Sequence, residues 1–144
     1  YAYFETAETG KLAKLSNDAI DFFPNQASPY FYNSVASSWK NDFSTAASIA
    51  SEGLIVAGGN EAHTARLNTA LALALVGKKD FAAAKMSLDK AMAISKEKYA
   101  FAFEVAGDYY TAQGDNANAA LMFQKSKELG NLNKSLTQKW QPLK

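Results

Sequence analysis

Glu104 and Asp108 stand four residues apart within "FEVAGDYYTAQGDNANAALMFQ", the stretch from Phe103 to Gln124. On a helix that spacing puts both carboxylates on one face. Such a pair can move protons or hold a cation. The plainer reading is an acidic patch, which can also meet a basic partner. His63, the single histidine, lies beside Glu61 and Arg66. A zinc site needs three or four nitrogen, sulfur or carboxylate ligands, and the chain has no cysteine and no second histidine. His63 is therefore expected to be a solvated or capping residue. "AGGN", from Ala57 to Asn60, lacks the Lys-Ser/Thr ending and preceding strand of a phosphate loop, so it reads as a turn. No catalytic residue, metal or cofactor is expected.

Two apolar features bear on binding. Tyr30, Phe31, Tyr32 and Trp39 form an aromatic cluster. One helix face points inward, so three consecutive aromatics cannot all be buried by one neighbour. Any left outside would be a binding anchor. "TALALALV", from Thr69 to Val76, is apolar on all sides. It reads as a helix covered on both flanks by neighbours, with a dimer face as the alternative.

The whole composition narrows the function classes. The 144 residues are 48% hydrophobic with net charge +1, enough for one globular domain. That balance argues against a nucleic-acid binder, which needs a basic stripe to displace counterions. The longest nearly apolar run, 69–77, is far short of the ~20 residues of a membrane helix, so no membrane insertion is expected. Absence of cysteine excludes disulfides and thiolate chemistry. Tyr1 in place of an initiator methionine predicts a fragment or a processed product.

Helical periodicity recurs along the chain and strand signals are poor. Helices are expected at 2–8, 11–23, 29–40, 43–57, 61–76, 81–95, 100–113, 117–129 and 133–140. Pro24 stops one helix, and Ser28-Pro29 is expected to cap the next. Gly58-Gly59, Gly114 and Gly130 sit where left-handed C-caps are expected. Asp42, Asp80 and Asp115 open helices at their positive N-terminal ends. Short loops predict antiparallel neighbours.

Three segments align: "KNDFSTAASIASEGL", "KKDFAAAKMSLDKAM" and "QGDNANAALMFQKSK". Each places alanine four residues after Asp, at Ala46, Ala84 and Ala119, and a second small residue seven later, at Gly53, Ala91 and Ser126. Leu12 extends the frame, giving separations of 34, 38 and 35. Ala19 holds the second small position of that first unit. Period and pattern resemble the tetratricopeptide repeat over about residues 11–131. Phe103, Ala106, Gly107, Tyr110, Ala119, Phe123 and Ser126 follow the family order best. In that unit the small Gly107 and Ala119 let two helices approach, and Phe103, Tyr110 and Phe123 fill the space around the crossing. Asn131 replaces the family's terminal proline, and Asn33, Ser34 and Ser37 depart from its core in the unit of Tyr30. Residues near 61–64 are extra and should lengthen the helix they begin.

The resemblance implies an all-α fold: a right-handed superhelical stack of antiparallel helix hairpins in one domain. Its parts are a partial first unit at 11–24, repeats at 27–60, 65–98 and 100–133, and a capping helix at 133–141. Leu132, Leu136 and Trp140 on that last helix are expected to cover the end of the stack. The family's first helices line a concave groove. By position that surface holds Phe31, Tyr32, Val35, Trp39, Arg66, Thr69, Phe101, Glu104, Asp108 and Thr111, with Ser28 and Leu73 beside them. The implied function is noncatalytic binding of a protein, peptide or partner helix. The alternative is a structural spacer or oligomerising segment of a larger bacterial protein, with a homodimer as its simplest form. Likeness of the last repeat to long bacterial proteins, exported ones among them, leans toward the periplasm or cell envelope, with the cytoplasm as the alternative.

Overall fold

The computed structural model describes residues 27–129. Within them the chain forms six α-helices and no strand: α1 Ala27–Trp39, α2 Phe43–Ala57, α3 Glu61–Gly77, α4 Phe81–Ser95, α5 Ala100–Ala112 and α6 Asn116–Glu128. The helices expected at 2–8, 11–23 and 133–140 lie outside the described residues, as do Leu12, Ala19, Pro24, Gly130, Leu132, Leu136 and Trp140. The other six agree with the sequence reading to within two residues at each end. The largest difference is at α1, which begins at Ala27 rather than Pro29, so Ser28 lies inside the helix and not at its cap. Proline is tolerated there because first-turn N–H groups have no intrahelical acceptor. α3 has 17 residues against 13 in α1 and in α5, the lengthening that the extra residues predict.

One turn occurs three times. The backbone N–H of Asp42 donates to the Ser37 carbonyl at 2.9 Å, that of Asp80 to Leu75 at 2.9 Å, and that of Asp115 to Tyr110 at 3.0 Å. The residue before each aspartate has positive φ: Asn41 65°, Lys79 63°, Gly114 79°. Together these are a Schellman closure of the preceding helix. The same aspartate then caps the next helix, its Oδ1 accepting from the N–H of Thr45 at 3.4 Å, Ala83 at 3.4 Å and Asn118 at 3.2 Å. Each aspartate thus ends one helix and starts another. Glycine is the usual residue at positive φ, but Asn41 and Lys79 hold it in two of these three turns. Gly58 also has positive φ, at 56°, in the different turn where "AGGN" leads to Asn60. The Asn60 side chain caps α3 by accepting from the His63 N–H at 3.0 Å.

Each helix packs on the next, and α3 also packs against both α1 and α5. The crossing residues are small. Ala46, Ala84 and Ala119 are fully buried, and Gly53, Ala91 and Ser126 are buried as well. Counting from the three cap aspartates gives further pairs eight residues before and eight after: Ser34 with Ala50, Ala72 with Leu88, and Gly107 with Phe123. All six are buried. Along the series the first member shrinks to glycine while the second grows to phenylalanine. A Cβ on Gly107 would overlap the Phe123 ring, and one on Gly77 would overlap the Phe43 ring. A Cβ on Gly53 would lie 2.7 Å from the Cβ of Tyr30 and 2.8 Å from Cδ2 of Leu67.

Asn33, Ser34 and Ser37 depart from the family core in sequence, but the structure buries all three. For Ser34 the reason is a hydrogen bond: its hydroxyl donates to the Ala46 carbonyl at 2.7 Å, strapping α1 to α2. Ser126 does the same between α6 and α5, donating to the Ala100 carbonyl at 2.6 Å. Ser38 Oγ is buried with no hydrogen-bond partner among the described residues. An unsatisfied hydroxyl costs about 1–3 kcal/mol, so Ser38→Ala is expected to raise stability by about 1 kcal/mol in urea melts. A midpoint that falls would show that the hydroxyl is satisfied in solution.

Candidate functional site

The ten groove positions divide by burial. Phe31, Val35, Thr69, Phe101 and Glu104 are buried; Tyr32, Trp39, Arg66 and Asp108 are half-buried; Thr111 is exposed. Five of the ten positions read from sequence are thus buried among the described residues. Two of them make a ring contact between distant helices. Phe31 on α1 meets Phe101 on α5 edge-on, with centroids 6.1 Å apart, and Phe101 meets Tyr99 at 6.2 Å. Thr69 is turned back on its own helix, its hydroxyl donating to the Ala65 carbonyl at 2.9 Å. Edge-on aromatic pairs stabilise by about 0.5–1.5 kcal/mol beyond area burial, and Phe31 is only 2% exposed.

The aromatic cluster is resolved by having two neighbours rather than one. Tyr30 faces the Gly53 backbone of α2, and Phe31 faces α5. Tyr32 touches Phe31 edge-on at 5.1 Å and stays half-buried, as does Trp39. "TALALALV" is likewise covered within the fold: Thr69, Ala70, Ala72, Ala74 and Val76 are buried, and Leu71, Leu73 and Leu75 half-buried.

The acidic pair does not form an open dyad. Glu104 is only 2% exposed, while Asp108 is half-buried one turn on. Among the described residues no cluster of three or more His, Cys, Asp or Glu side chains could hold a metal ion. No described helix is long and apolar enough to cross a membrane.

Arg66 has space beside it. A cavity of about 330 Å³ opens between the start of α3 and the end of α4, lined by Glu61, Ala62, Ala65, Arg66, Ile94 and Tyr99. The last two escape sequence reading because nothing in their spacing marks them. Tyr99 is the N-cap residue of α5 and makes no side-chain cap bond; its ring is instead directed toward Phe101. The only ion pair among the described residues, Lys85 with Asp89 at 3.5 Å, joins two exposed side chains of α4 and contributes little.

No protein-family model matches the chain. A search of curated proteins gives no match either.

Proposed function

We propose that the chain is a noncatalytic interaction module of tetratricopeptide type, built as a right-handed stack of antiparallel helix hairpins. It binds a peptide or partner helix along α1, α3 and α5. The observation that carries this reading is the turn made at Asp42, Asp80 and Asp115, with identical hydrogen bonding at separations of 38 and 35 residues. A chain that repeats both its corners and its crossing residues at that interval stacks equivalent units. In such a stack α1, α3 and α5 are equivalent and adjacent, which agrees with the packing of α3 on both others.

The binding face is carried by the groove residues that keep accessible surface: Tyr32 and Trp39 on α1, Arg66 on α3, Asp108 and Thr111 on α5. It is aromatic at one end and acidic at the other. Selection from a displayed peptide library, followed by fluorescence anisotropy, tests this. Peptides chosen by the wild type are expected to bind Tyr32→Ala/Asp108→Lys at least about tenfold more weakly, as loss of one anchor and one charge contact implies. Peptides that bind the variant equally well would move the site off this face.

A further inference from the structure

The seam between α4 and the α5–α6 pair holds a second crevice, of about 230 Å³. Its floor is Leu88 and Met92 on α4, Ala106 and Tyr110 on α5, and Met122 on α6, with Glu97 and Lys125 at the mouth. The chain itself shows what is missing there. Nine residues before its cap aspartate, α3 carries Leu71, packed against the main core. At the same place α5 carries Ala106. A leucine-sized side chain is present in one unit and absent from the next.

Four charged residues line the crevice: Lys85 and Asp89 pair with each other at 3.5 Å, whereas Glu97 and Lys125 do not. Lys125 Nζ lies over the Phe103 ring, 5.6 Å from its centroid, and no carboxylate lies within ion-pair distance of it among the described residues. Glu97 has no ion-pair partner among them either. It is held at φ 59° by the turn after α4, which fixes where its side chain leaves the backbone. Glu97, Phe103 and Lys125 also line a shallower hollow that continues to Glu128 and Leu129. Two neighbouring hollows that share Glu97, Phe103 and Lys125, with opposite charges among their lining, suit a helix better than a compact small molecule.

We propose that this crevice docks a helix of a partner protein that inserts one leucine-sized side chain against Ala106, with an acidic residue toward Lys125 and a basic one toward Glu97. The site uses none of the residues assigned to the α1–α3–α5 face, so each can fail without the other.

The methionines make the test direct. Met92 and Met122 line the crevice, whereas Met86, the third methionine of the chain, is exposed outside it. Protein carrying ¹³C-methyl methionine is titrated with a capped helical peptide that has leucine at its centre, glutamate one turn before and lysine one turn after. The Met92 and Met122 signals are expected to shift and saturate while Met86 stays in place. The same peptide with alanine at its centre is expected to bind at least about tenfold more weakly. Ala106→Leu fills the space from within and is expected to abolish the shifts while raising the melting temperature. If that variant does not fold, Lys125→Glu, at an exposed position, is expected to weaken binding about fivefold or more. Absence of any shift, equal movement of all three methionines, or undiminished binding by the folded Ala106→Leu or by Lys125→Glu would overturn the proposal.

Discussion

Gly107→Leu is expected to lower the melting temperature by roughly 10 °C, corresponding to about 3 kcal/mol. The Phe123 ring occupies the space that any Cβ on residue 107 would need, and Phe123 is itself only 2% exposed. Neither partner can move aside without opening the contact between α5 and α6. The preceding unit suggests the repair. There the equivalent pair is Ala72 with Leu88, both buried. Gly107→Ala alone should be damaging, and Phe123→Leu alone should cost ~1 kcal/mol as a cavity. Combined, they should recover most of the lost stability, a coupling that a double-mutant cycle reads directly. Additive losses in that cycle would mean that the two positions do not meet as described.

Phe31→Ala is the second large effect, with an expected loss of about 3–5 kcal/mol. It discriminates between two readings of one residue. As a groove side chain facing solvent, Phe31 would be dispensable for stability. As the buried ring that links α1 to Phe101 on α5, it is not. Urea denaturation of Phe31→Ala and Phe101→Ala should give similar losses, and the double variant is expected to lose about 0.5–1.5 kcal/mol less than their sum, the coupling of an edge-on pair. A loss below about 1 kcal/mol for Phe31→Ala would return it to the surface.

The helices were legible in the sequence because their limits are set by local chemistry. Asp42, Asp80 and Asp115 mark corners whose capping bonds form within three residues, and such short-range signals survive in the residue string. The small residues at the crossings were legible for a related reason: Ala46, Ala84 and Ala119 recur in register, and all three are buried. The burial of the groove was less legible. Position in a repeat says which way a side chain leaves its helix, but not whether another ring arrives to meet it. Phe31 and Phe101 are separated by four connections and three helices, and their contact depends on how tightly α1, α3 and α5 draw together. The positive φ of Asn41 and Lys79 was hidden as well. Composition points to glycine for that conformation, whereas here the hydrogen bonds around the aspartate impose it on residues with side chains.

The crevice shows a different limit. Ala106 fits the repeat pattern as a small apolar residue and raises no flag in sequence. Only the comparison with Leu71 at the same distance from its own cap reveals that a volume has been left out.

That omission also says something about how the molecule yields. α4 touches α5 more lightly than α2 touches α3, and the void lies along that same join. Where helices pack in succession, the lightest contact is where local opening is expected first. The last two described helices, α5 and α6, are therefore expected to loosen before the four described helices that precede them, with the Phe31–Phe101 contact as their tie to α1.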